Sequence, residues 1–409
     1  MNNIQQGFVA LYLTLLVVFV LSGIGISAFV LTSSQQRIIQ NTKASLQAYY
    51  GAEAGVEDAL FRVKNSLNWS NPGSLNVLDA TVTTTVTDTP QGKLVVAEGN
   101  DSSRFRRVEA LYRLAGIIPE FFYGAHIGDG GLIMHNNSQV IGDVFSNGDI
   151  TGNSGAIVTG TARVAGLGGN LSNISVVGDV FVDECKDADI TATLNANDND
   201  GCSFGAFVSL GTPPDPVSLP ITAEEIQGWK DAAEAGGVFF GDYELDKTET
   251  ASLGPQKIVG NLLVADKAVL TLTGNLWVTG NVDVKNDAQV RLDVSFGGTS
   301  GVIVADSVIT LQNITISSGS GSEGSYLMYL STNTGNPAIN IKNNAVADIL
   351  YTSAGWILIE NNDELRVVTG YGVHLENNAV ITYEIELTSA IFSSGTGGAW
   401  ELVSWKEVE

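Results

Sequence analysis

Positive charge is scarce in this chain: 20 Lys and Arg stand against 44 Asp and Glu, for a net charge of −24. That excludes nucleic acid as a partner, because phosphate binding needs a basic patch. Histidine is almost absent. His126, His135 and His374 are scattered and share no metal-ligand spacing, so no metal site is expected. Motifs for Ser, Cys or Lys nucleophiles are missing, and no cofactor is expected. Cysteine is limited to Cys185 and Cys202. A pair this close, behind an export-like N-terminus, reads as one disulfide, with two buried free thiols as the alternative. What is abundant is Gly, Asn, Ser, Thr and Val, a mixture suited to short strands joined by tight turns. A length of 409 residues suggests two or three domains and needs neither disulfide nor metal for stability.

The one long apolar run lies at the start. Phe8 to Val30 carries no charge over 23 residues, enough to cross a bilayer, where about 20 suffice. It exceeds the apolar core of a cleaved signal peptide, and no A-x-A site follows. From Ser33 to about Lys64 there is no proline, and Ile39, Leu46, Tyr50, Val56, Leu60 and Val63 fall on one helical face. Together the two stretches predict one rod, Phe8 to Lys64, about 85 Å long at ~1.5 Å per residue. An ordinary membrane anchor is the plainer alternative. It would not need the extension.

A polar leader ending in Gly7, a Phe directly after it, the apolar span and the amphipathic helix resemble the N-terminus of type IV pilins. The stretch LQAYYGAEAGVEDAL, Leu46 to Leu60, is similar to the signature of that family's minor-pilin group. The resemblance implies cleavage between Gly7 and Phe8, methylation of the new Phe8 amine, and packing of the helix into a filament. Tyr12, Leu46, Tyr49, Tyr50, Glu53 and Leu60 would be the assembly residues, with other pilin-like subunits as partners and the membrane as the host before assembly. Major pilins carry Glu where this chain has Tyr12, which points to a minor member rather than a bulk subunit. The leader also lacks Lys and Arg, while Arg37 and Lys43 follow the span. By the positive-inside rule alone the C-terminal side would be cytoplasmic. The pilin-like motifs, the cysteine pair and the acidic remainder place it outside the cell instead.

Thr/Val alternation in DATVTTTVTD (Asp79 to Asp88), the PQG turn, KLVVAE and RFRRVEALYRL predict a small antiparallel module, with Arg104, Arg106 and Arg107 as a solvated strand face. From about Gly124 a pattern recurs: strand, Asn-Asn or an equivalent, strand. Copies begin at Leu132, Leu262, Val282, Ile309, Ile339, Ile357 and Val373; from Leu262 onward the steps are 20, 27, 30, 18 and 16 residues. Such a period specifies a solenoid. Asn136, Asn137, Asn286, Asn343, Asn344, Asn361, Asn362, Asn377 and Asn378 are its expected corners, since Asn tolerates the left-handed conformation and can hydrogen-bond along a stack. The fold expected is mainly β: a long N-terminal helix, a small antiparallel sheet, then a right-handed parallel β-helix, the hand coming from the crossover rule. A β-sandwich fits the spacing less well. PPDPVSLP and ITAEEIQGWKDAAEAGG predict an extended spacer and a helix capped by Thr222 with Glu225, either bridging two β-helical blocks or lying along the outside of one.

The expected organisation is a leader (1–7), the pilin-like helix (8–66), the small module (75–115), an earlier β-helical block with the disulfide loop (120–212), spacer and helix (213–240), and a later β-helical block with a C-terminal cap (241–409). Trp400, Leu402 and Trp405 would close the last rung. The function implied is a non-enzymatic, minor pilin-like surface protein displaying the β-helix for adhesion to a host-cell or glycan surface, or as a shaft. Alternatives are an anchored polysaccharide-active enzyme and an envelope scaffold outside any filament. For the enzyme, Asp266, Asp283, Asp287 and Asp293 are the cluster to consider, although Asp287 replaces a corner Asn and Asp266 can do the same. Trp277, Tyr326, Tyr329 and Trp356 would be a sugar-stacking stripe or ordinary packing. NANDNDG, Asn195 to Gly201, lacks the spacing of an EF-hand, which leaves weak calcium binding open.

Overall fold

A computed structural model describes residues 3–64, 70–89, 92–117, 119–153, 155–393 and 399–408. They form two compact units, Met1–Arg113 with Trp400–Glu409, and Leu114–Ala399.

In the first unit, α1 (Asn3–Lys64) is one unbroken helix of 62 residues. An antiparallel meander covers its C-terminal half: β1 (Gly73–Val77), β2 (Ala80–Thr89), β3 (Gly92–Asp101) and β4 (Arg104–Ile117). Positions 90 and 91 of the expected PQG turn lie outside the described residues. Small residues dominate the helix face on the sheet, and of the apolar stripe only Val56 and Leu60 belong to it. Ala44, Ala48, Ala52, Val56 and Ala59 are buried, whereas Ile39, Leu46 and Tyr50 are 66%, 49% and 59% exposed. Close approach is the reason, because backbone lies against backbone where Gly99 meets Ala48, and only small side chains fit such a seam. The basic cluster is not simply solvated either. Arg104 donates to Asn41 Oδ1 (2.9 Å) and Arg106 to Ser45 Oγ (2.8 Å), tying β4 to the helix. The C-terminal strand, Ala399–Val408, also departs from expectation. Trp405 packs against the core of this unit, Arg106 pairs with Glu407 and Lys406 with Glu109, each at 3.0 Å, so 400–408 completes the first unit and does not close a rung. Leu402 is exposed.

The second unit is a three-faced parallel solenoid. One core column shows its order: Leu262, Val282, Ile309, Ile339, Ile357, Val373, Leu132, Ile150, Leu171 and Cys185 are successive register partners, all buried. The stack therefore runs from the later block into the earlier one. Strand Glu364–Leu375 pairs in parallel with Ala125–Met134, so the two expected blocks are one β-helix assembled out of chain order. The spacer is the return path. Pro214 O accepts from Gly166 N, Val217 exchanges two hydrogen bonds with Asn147, and Ile221 O accepts from Tyr351 Oη. A proline-rich extended segment suits that run, because it holds its length without internal hydrogen bonds.

Helix α2 (Ala223–Ala235) then lies along the outside. Thr222 and Glu225 form its capping box. Ile226, Trp229 and Ala233 are buried; Ile226 and Trp229 share an apolar cluster with Val302, Val304, Met328 and Leu330. Strands Thr299–Ala305 and Leu327–Ser331 are consequently buried on both faces, which is why TSGVIVA and LMYLS are near-continuous apolar runs rather than alternating ones.

Candidate functional site

The surface of α1 that faces away from the sheet is the first candidate. From Leu11 to Leu31 the helix carries Leu, Val, Ile and Phe side chains exposed all round, with Tyr12 among them. The apolar exposure continues at Ile38, Ile39, Leu46 and Tyr50, beside the sheet-bound small residues. Tyr49 and Leu60 are half-buried against the sheet core, and Glu53 is half-buried. The proposed assembly residues therefore divide: Leu46 and Tyr50 face outward, while Tyr49 and Leu60 support the unit. Gly7 and Phe8 lie in the first turns of the helix. One helix long and apolar enough to span a membrane is present among the described residues.

The solenoid corners form a second feature. Asn136, Asn137, Asn286, Asn343, Asn344, Asn361, Asn362, Asn377 and Asn378 all have φ between 53° and 65°. Their amides make a one-way ladder in which Asn286 donates to Asp266, Asn313 to Asn286, Asn343 to Asn313, Asn361 to Asn343, Asn377 to Asn361 and Asn136 to Asn377, at 2.8–3.0 Å. Each amide offers its carbonyl to one neighbour and its N–H to the other, which offsets the cost of the left-handed backbone. Asp266 and Asp287 are corner residues of the same series, at φ 54° and 60°. Asp293 instead accepts from Ser295 N, and hydrogen bonds from the Ser295 side chain and backbone hold its carboxyl below the usual range. Asp283 lies in the strand Val282–Lys285, level with Leu263 and Thr310, so it and Asp293 fall outside the corner series that holds Asp266 and Asp287.

The aromatic residues and the NANDNDG segment fall in separate structural settings, with Tyr326 lining a cleft. Tyr329 is buried in the solenoid core, and Trp277 sits under Lys257 (3.7 Å) with its indole N–H on Asp306. Within NANDNDG, Asp198–Asp200 is a strand paired with Glu184–Lys186, and Asn199 Oδ1 accepts from Cys202 N. Cys185 and Cys202 form a disulfide across 17 residues, stapling the terminal turns of the stack.

Sequence reasoning missed one cleft. The insertion SSGSGSEGSY, Ser317 to Tyr326, walls a space of about 980 Å³ with Arg291, Asp293, Asp348, Arg366, Glu384 and Glu386. Arg366 bridges Asp348 (2.9 Å) and Glu384, and Leu327 N donates to Asp348 Oδ2 (3.0 Å). Burial raises the Asp348 carboxyl pKa while these donors oppose the shift. The long 30-residue step of the repeat was the only sequence signal for it.

Two further buried groups set a pH response. His126 lies between the rings of Tyr123 and Phe145 (5.4 and 5.5 Å), and burial lowers it from 6.5 to about 4. Asp363 accepts from Ala345 N and Glu360 N, and burial raises it from 3.8 to about 7. Between pH 4 and 6.5 the unfolded chain binds more proton at His126, so acidification destabilises. At Asp363 the folded state binds more, so acidification stabilises. The two oppose each other in the intact protein. His126→Gln is expected to unmask the aspartate, with stability rising by up to about 2 kcal/mol from pH 6.5 to 4.5 in denaturant titrations. A flat or falling profile would contradict this assignment.

The chain thus combines a long, exposed apolar helix on a small antiparallel sheet with a parallel solenoid. Residues 6–57 match the family model PilX N-terminal, and the chain is type IV pilin-like in this region. Among solved structures, the competence-associated pilin ComZ from Thermus thermophilus aligns over 89% of this chain and 97% of its own, at 11% identity and a TM-score of 0.27. An ice binding protein from an Antarctic bacterium Flavobacteriaceae aligns over 64% and 82%, at 12% identity and a TM-score of 0.20. Both scores lie below the level at which a shared fold follows. No curated protein matches the chain.

Proposed function

We propose that the chain is a minor pilin-like subunit that carries its solenoid outside the cell as an adhesive head or shaft. It is made as a precursor, cut between Gly7 and Phe8 and methylated on Phe8. It is held by α1 as a single-pass membrane protein, then packed through that helix against other pilin-like subunits. The observation that carries this reading is that the matched segment, 6–57, coincides with a helix whose large apolar side chains stay exposed after its small ones have docked on the sheet. A soluble protein leaves no such continuous apolar surface without a partner or membrane to cover it. Families of this kind are typically structural, and the proposed role is non-enzymatic. In the cleft, the carboxyl most raised by burial, Asp348, is already engaged by Arg366 and a backbone N–H.

N-terminal sequencing and intact mass of the protein from cells with an active prepilin peptidase test the reading. A chain starting at N-methylated Phe8 is expected, and an intact Met1 start would overturn it. Glycan cleavage by the purified protein, abolished by Asp348→Asn, would replace the non-enzymatic reading with the polysaccharide-active alternative.

A further inference from the structure

Out-of-order stacking brings together residues that the sequence keeps far apart. His135 follows the strand Ala125–Met134, and His374 lies in the strand that pairs with it, 239 positions away. Their rings meet edge to face at 5.0 Å. Glu376 completes the group, which no spacing along the sequence marks. The atoms His135 Nδ1, His374 Nε2 and Glu376 Oε1 are separated by 3.4 Å (nitrogen to nitrogen), 2.8 Å (His374 to Glu376) and 3.8 Å (His135 to Glu376). All three residues are half-buried.

We propose that His135, His374 and Glu376 form a binding site for a divalent transition metal of the Zn²⁺ class, which clips the two blocks of the solenoid where they join. A tetrahedral ion with ligand bonds of about 2.0–2.1 Å needs its donors roughly 3.3 Å apart, and the three observed spacings bracket that value. Two imidazoles and one carboxylate, with the fourth position left to water, are a Zn²⁺ donor set; Ca²⁺ and Mg²⁺ prefer all-oxygen shells. The ligands sit on rigid backbone, since His135 N donates to Leu375 O and Glu376 N to Ile359 O, both at 2.8 Å. A hydrogen bond from His374 to Glu376 satisfies only those two groups. His374 Nε2 also lies 3.4 Å from His135 Nδ1, so one ring nitrogen is shared between two partners, whereas a metal ion would give each of the three donors a bond of its own.

The test uses tag-free full-length protein in detergent micelles, titrated with Co²⁺ and with Zn²⁺. One equivalent of Co²⁺ is expected to give the intense visible bands of four-coordinate cobalt, bleached by Zn²⁺ and unaffected by millimolar Ca²⁺. Zn²⁺ is expected to raise the melting temperature of the solenoid, and EDTA to reverse the rise. His135→Gln, His374→Gln and the milder Glu376→Gln should each weaken binding at least tenfold. Weak, pale octahedral Co²⁺ spectra in the wild-type protein would overturn the proposal without recourse to any variant. So would affinity left unchanged in all three variants. Neither outcome bears on the processing of the N-terminus.

Discussion

Replacing Gly99 with alanine is expected to detach α1 from its sheet. A β-carbon at this position would lie 2.0 Å from Ala48 O, 2.9 Å from Ala48 C and 3.0 Å from Ala52 N. All three are helix backbone atoms, which cannot rotate out of the way as a side chain could. The helix must retreat, and retreat opens the whole seam of Ala48, Ala52, Val56 and Ala59 against Val82, Val95, Ala97 and Val108, every one buried. Overpacking costs about 1–3 kcal/mol where side chains can give. Here the loss should exceed about 3 kcal/mol, because rigid backbone meets rigid backbone. The measurement is limited proteolysis of the first unit together with its urea unfolding. A variant as resistant as wild type would refute the close-packed seam. If the proposed function holds, filaments should also lose this subunit.

Trp229→Ala carries the second large effect, in the other unit. Trp229 is buried on α2, with its ring 5.9 Å from that of Phe392, and it fills the apolar layer outside Val302, Val304, Met328 and Leu330. Truncation removes the largest side chain holding the helix and leaves a cavity, which costs about 3–5 kcal/mol. Because the spacer and α2 carry the chain back to the start of the stack, the loss should appear as weakened docking of the later block, with the Asn ladder otherwise intact. Gly228→Ala on the same helix is the control. Gly228 is exposed with nothing near its missing β-carbon, and the exchange should stabilise by about 1 kcal/mol through helix propensity. Guanidinium titrations of both variants should move in opposite directions. A Trp229→Ala midpoint within error of wild type would contradict the buried position.

Local chemistry was legible in the residues themselves. Thr222 and Glu225 specify a capping box because each satisfies a backbone N–H the other leaves open, and no distant contact is needed. Paired Asn residues specify corners for a similar reason: the left-handed backbone selects them wherever the turn is placed. The ladder followed, since the repeat stacks like residue on like. By contrast, of the α1 residues that pack on the sheet, hydrophobic periodicity marked only Val56 and Leu60. It weighs Ile39, Leu46 and Tyr50 above Ala44, Ala48 and Ala52, whereas a close helix–sheet seam selects for small size. The role of Ala399–Val408 escaped for a different reason. Its partners in β4 are nearly 300 residues earlier in the chain, and Trp405 is as suitable for closing a rung as for packing on a sheet.

By itself, then, the sequence determined the long N-terminal helix, the small sheet, the rung, its corners and the cysteine pair. Each follows from spacing, from backbone preference or from what few residues the chain contains. Tertiary structure alone decided the order in which the rungs stack. Every rung presents the same edge of N–H and C=O groups, and such an edge carries no address. The address comes from elsewhere: the reach of the proline-rich spacer, the apolar layer under Trp229, and the fit of Ala125–Met134 onto Glu364–Leu375. That single stacking decision also brings His135 onto His374 and Glu376, three residues that nothing in their sequence positions would have grouped.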